Sequence, residues 1–168
     1  VNGAESIKIR DVQVAVIQDE YICNLVKITT DVGVYGLGEA RVKGLKYIKL
    51  IQELKSLIIG ENPLRIEYLT RKMMTSNSAD VNTTRGTISG IETALWDLAG
   101  KILNTPTYNL LGGKSREKLL VYAHANGKDL DDAMNKTGLE AEKGFRAIRI
   151  QCGIPGIEST YGVTKGKY

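Results

Sequence analysis

The sequence is poor in the residues that most narrow a function: 2 cysteines, 3 prolines, 1 histidine, 1 tryptophan and 1 phenylalanine in 168 residues. Cys23 and Cys152 stand far apart, each in an apolar stretch, with no CxxC and no histidine at metal-ligand spacing. That excludes a zinc ribbon and a disulfide-stapled secreted domain, and predicts two reduced, buried thiols in a cytoplasmic protein. No apolar run approaches the roughly 20 residues of a membrane helix, and nothing resembles a signal peptide, so no membrane partner is expected. Runs of like charge are missing too. The net charge of +4, from 23 Lys and Arg against 19 Asp and Glu, is dispersed. Without a basic patch interleaved with aromatics, no nucleic-acid partner is expected.

What is present is the composition of a folded globular chain, 42% hydrophobic and 25% charged, long enough for one domain or slightly more. Ile7 to Gln18 alternates apolar and polar residues and is rich in β-branched side chains, and Tyr21 to Thr30 does the same. "TDVGVYGLGEA" turns at Asp31 and Gly33 and continues as a third strand through Val34, Tyr35 and Leu37, with glycine at every other position. A three-stranded antiparallel meander is predicted. Helical spacing of apolar residues follows from Leu45 to Ile59, closed by Gly60. A second helix is expected over Leu64 to Met74, with Pro63 in its first turn and Asn62 as cap. "TSNSADVNTTRG" reads as a polar loop, and the most apolar helix begins near Thr87 and runs to Ile102.

The character changes after "LLGGKSREK". "LLVYAHANG" reads as one continuous apolar strand, followed by a helix and then by the strand "FRAIRIQCG", the pattern of a parallel βαβ unit. In such sheets the reactive side chains sit just past the carboxyl ends of the strands. His124 and the segment from Cys152 to Tyr161 occupy those ends. His124 stands equally as a structural histidine or a functional one. Arg149, twelve residues before Tyr161, could hold the phenol as phenolate and make it a base, although most such pairs are structural. Glu39, Arg41 and Lys43 form a polar cluster, either an exposed loop or one that caps a neighbouring site. "GLG" lacks the strand and helix context of a dinucleotide fingerprint. Glu92, Asp97 and Glu117 have no metal-ligand pattern.

The order "DVGVYGLGEA", "GIETALWDLAGKILNTPTYNLLGGKSRE", "VYAHANGKD" resembles the amino-terminal part of an enolase-superfamily enzyme of the mandelate racemase/muconate lactonizing type. "GFRAIRIQCGIPGIESTYGV" is similar to its mannonate dehydratase branch. The resemblance implies an α+β capping domain, the meander plus helices, over residues 1–116, followed over 117–168 by the first βα units of a truncated TIM-type α/β barrel. It implies Mg²⁺, with its ligands beyond the end of this chain, and a sugar-acid substrate whose α-proton is removed and whose β-hydroxyl is lost. D-mannonate would give 2-keto-3-deoxygluconate. Arg149 and Tyr161 match the base couple, and His124 matches a histidine that meets the substrate. Lys43 falls near the point where this branch commonly offers an asparagine. Lactonizing and racemizing relatives carry Lys-x-Lys where this chain has Arg149-Ile150-Gln151, which favours dehydration. Gluconate or another aldonate is an alternative substrate, and a non-catalytic regulatory or structural role is the rival reading. The resemblance also implies a homo-oligomer, and a fragment that alone neither binds Mg²⁺ tightly nor turns over.

Overall fold

In a computed structural model of the chain, residues 6–18, 22–40, 46–76, 81–153, 159–160 and 163–164 are described. They form two compact units, Val1–Lys114 and Ser115–Tyr168.

The first unit is a meander backed by helices. Strands β1 (Ile9–Gln18), β2 (Ile22–Thr30) and β3 (Tyr35–Glu39) pair antiparallel in that order, with one irregularity of register between Ile9 and Asp11. Alternation places Val12, Val26 and Ile28 on one face, where all three are buried. Helices α1 (Lys46–Ile58), α2 (Ile66–Thr75), α3 (Val81–Ile102) and the short α4 (Thr107–Leu110) follow. Leu54 of α1, Leu69 of α2 and Leu95 of α3 meet the sheet residues in one core. A Cβ on Gly36 would overlap the Ala94 carbonyl, and one on Gly38 the Gly90 carbonyl. The alternating glycines of β3 therefore let the backbone of α3 lie directly on the strand. Asp97 of α3 fixes this crossing: its Oδ2 accepts from the Leu37 amide at 2.8 Å and from Lys101 Nζ at 2.7 Å.

Three expectations are corrected here. The helix expected to begin near Thr87 begins at Val81, six residues earlier. Thr84 and Thr87 are buried, and the Thr87 hydroxyl donates to the Thr83 carbonyl at 2.8 Å. Threonines thus serve as inward-facing residues, at Thr87 with the hydroxyl satisfied by the helix itself, which a purely apolar periodicity overlooks. Asn62 does not cap α2. Its Oδ1 accepts from the Leu64 amide at 2.8 Å within a preceding turn, so Pro63 lies outside the helix that starts at Ile66. Cys23 and Cys152 are thiols and form no disulfide with each other, as expected, but they are half-buried rather than buried.

The second unit holds β4 (Ala123–Gly127), α5 (Leu130–Glu142) and β5 (Ile148–Cys152), with β4 and β5 parallel, and a short antiparallel pair β6 (Ser159–Thr160) and β7 (Val163–Thr164). The expected long strand "LLVYAHANG" is shortened. Pairing starts at Ala123 opposite Ile148, and Leu119 to Tyr122 are exposed, because an apolar run becomes strand only where another strand takes its hydrogen bonds. No helix among the described residues is long and apolar enough to cross a membrane.

Candidate functional site

The parallel pair in the second unit has two unlike faces. Ala123, Ala125 and Gly127 of β4 are buried on the face that α5 covers, and a Cβ at Gly127 would overlap the Ala133 backbone of that helix. Small residues are what allow this close contact. The other face is polar. Register sets His124 opposite Arg149 and Asn126 opposite Gln151, so four polar side chains form two adjacent rungs that ascend toward the carboxyl ends of the strands. His124 and Arg149 are both exposed on this face. The His124 ring stacks on Tyr122, with centroids 5.1 Å apart and planes inclined by 26°.

The turn beyond β4 is braced from α5. Asp129 caps the helix, accepting from the Asp132 amide at 2.9 Å. Asp132 Oδ2 accepts from the Lys128 amide at 3.0 Å and from Lys136 Nζ at 2.9 Å, and Lys136 Nζ also donates to the Asn126 carbonyl at 2.9 Å. The Lys128 amide first, and the Lys136 ammonium second, hold the Asp132 carboxyl below the usual range for aspartate. On the other strand the Gly153 amide donates to the Gly127 carbonyl at 2.8 Å, tying the two strand exits together.

Of the residues expected to carry chemistry, His124 and Arg149 are brought together as a cross-strand pair, but His124 is the second residue of β4 rather than at its carboxyl end, because pairing starts only at Ala123. Tyr161, which falls between β6 and β7 in the sequence, and Lys43 and Arg41 lie outside the described residues. Glu39 ends β3 in the first unit. There it contributes, after desolvation, to raising the Cys23 thiol above its ordinary value. Among the described residues no group of three His, Cys, Asp or Glu side chains is gathered as a cation site requires, so these residues do not fit the ligand set of a divalent ion. Sequence reasoning missed Asp132 and Lys136. Their signal was the i, i+4 Asp and Lys spacing three residues after the Asp129 cap.

A parallel βα pair with a polar, cationic face, in the same chain as a separate meander-and-helix unit, is an enolase-type architecture. The chain belongs to the mandelate racemase / muconate lactonizing enzyme family, whose N-terminal domain matches residues 5–112. Within it, the chain is 42% identical over 144 residues to the D-galactonate dehydratase family member RspA of Cellvibrio japonicus, an alignment covering 82% of this chain and 35% of that protein. It is 43% identical to the D-mannonate dehydratase of Sphingomonas sp. strain SKA58, with 84% of this chain and 36% of that protein covered. The crystal structure of an enolase from Pantoea ananatis with bound D-gluconate and Mg superposes with a TM-score of 0.78 at 31% identity, over 88% of this chain and 37% of that one. The chain spans about a third of the length of the curated relatives it matches.

Proposed function

We propose that the chain is part of a sugar-acid dehydratase acting on D-mannonate. The observation that carries this reading is the cross-strand pair of His124 and Arg149 on the polar face of β4 and β5, with Gln151 rather than lysine two residues on. The likeness to named D-mannonate and D-galactonate family dehydratases supports it. The Arg149 guanidinium favours an anion beside it, either the substrate carboxylate or the phenolate of Tyr161. In this reading the Tyr161 phenolate takes the proton α to the carboxylate, His124 hydrogen-bonds the acid, and the β-hydroxyl departs as water. The resulting enol becomes the 2-keto-3-deoxy acid. The divalent ion that such reactions employ would be held by groups other than the described residues.

The test is formation of 2-keto-3-deoxy acid by the full-length polypeptide across a panel of aldonic acids with Mg²⁺. D-mannonate is expected to lead, and Tyr161→Phe and Arg149→Met are expected to lower kcat by roughly 100-fold or more. Absence of product from every aldonate overturns the reading. Gluconate is the second reading, favoured by the D-gluconate bound to the Pantoea ananatis enolase. The same panel separates the two by the ratio of kcat/KM for the two acids.

A further inference from the structure

The rung beyond His124 and Arg149 carries an unspent hydrogen-bonding group. Asn126 lies opposite Gln151 on the same face, nearer the carboxyl ends of the strands. Its Oδ1 is buried, and no donor among the described residues reaches it. Native proteins rarely leave such an acceptor unmatched, because its lost hydration is not replaced. The rest of the residue is held: Lys136 Nζ donates to its backbone carbonyl, and Lys136 is itself fixed by Asp132. The backbone is thus anchored while the side-chain oxygen has no partner among the described residues. The terminal torsion of an asparagine is broad, so the amide can turn on a fixed backbone and bring Oδ1 to the open face.

We propose that Asn126 reads a hydroxyl of the substrate and so helps to set which polyhydroxy acid the enzyme takes. This rests on the sugar-acid reading above. A neutral amide offers an acceptor and two donors, which suits a hydroxyl, whereas the substrate carboxylate is drawn to the Arg149 guanidinium one rung below. A rise of about 3.3 Å per residue separates the two rungs by roughly 7 Å, so the hydroxyl concerned lies well along the chain from the carboxylate. Asn126 is then a specificity residue, distinct from the groups that move the proton.

The experiment pairs Asn126→Ala in the full-length enzyme with deoxy analogues of the preferred aldonate, each lacking one hydroxyl, and measures kcat and KM for every combination. The substitution is expected to lower kcat/KM for the parent acid by about 10-fold or more, and to have no further effect on one deoxy analogue, whose own loss it duplicates. An equal loss on every analogue, or none on the parent, overturns the assignment. Asn126→Ser, which keeps a shorter polar side chain, is run beside it, so that a poorly folding alanine variant does not decide the matter; the same pattern of coupling is expected. If the wild-type enzyme turns over no polyhydroxy acid, the sugar-acid reading and this one both fall. If it does and no coupling is seen in either variant, only the role of Asn126 falls.

Discussion

At Gly38 the missing side chain is a packing requirement, because a Cβ there would run into the carbonyl of Gly90 on α3. Gly38→Ala is expected to destabilise the first unit by about 3 kcal/mol, at the upper end of overpacking costs, since the obstacle is helix backbone rather than a movable side chain. The midpoint of urea unfolding checks this, with Gly138→Ala inside α5, where nothing lies within 4 Å, as the comparison expected to keep or slightly raise stability. The ion pair of Glu61 and Lys72, joined at 2.7 Å, makes a separate prediction about pH. The Lys72 hydrogen bond lowers the Glu61 carboxyl from its ordinary 4.5, and Glu61 raises the Lys72 ammonium from 10.5. Glu61 therefore adds stability above pH about 4.5 that is lost as pH falls through its depressed value. Lys72 adds stability below about 10.5 that is lost as pH rises through its raised value. Unfolding midpoints of wild type and Lys72→Met should differ across the interval between and converge at both extremes.

The unit that positions the candidate site is β4 with the first two turns of α5. Asp132 joins the helix to the strand exit by accepting from the Lys128 amide and from Lys136. Asp132→Asn is expected to speed hydrogen exchange at the Lys128 amide while leaving the middle of α5 unchanged. In the wild type the same protection should persist above pH 3.8 and disappear as pH falls below it, because the carboxyl is held under that ordinary value and its bonds are lost only on protonation. Elements with a strong period were legible from sequence. The antiparallel order of β1, β2 and β3, and α1 within a residue at each end, agree with the alternation and the helical spacing. The first turns of α3 were not, since Thr84 and Thr87 are polar by type and buried by position. Leu119 to Tyr122 failed in the opposite sense. They carry the composition of a strand, but strand pairing starts only at Ala123.

On the scale of the whole molecule the two units differ in how much apolar surface they enclose. The first holds one continuous core of sheet and helix residues. In the second, Leu120, Leu130, Met134 and Leu139 are more than half exposed. Lys114, Arg116 and Lys118 lie in an exposed stretch between the core helices and β4. Brief trypsin treatment is therefore expected to cut at these residues first and to release a product near residues 1–114 that resists further digestion. Mass spectrometry of the early fragments checks this, and an initial cut within α3 would contradict it.

The sequence by itself determined the family, through "ALWDLAGK" and "LLGG" and the residues around them, and the type of nearly every element, because side-chain periodicity is a local property of the chain. It also singled out His124 and Arg149 as candidate residues of the parallel strands. Only the tertiary structure decided that these two share a rung, that the glycines of β3 receive a helix, and that Asn126 has an oxygen no donor among the described residues reaches. Each of those depends on register or burial between segments distant in sequence, where one residue of slip moves every side chain to the opposite face.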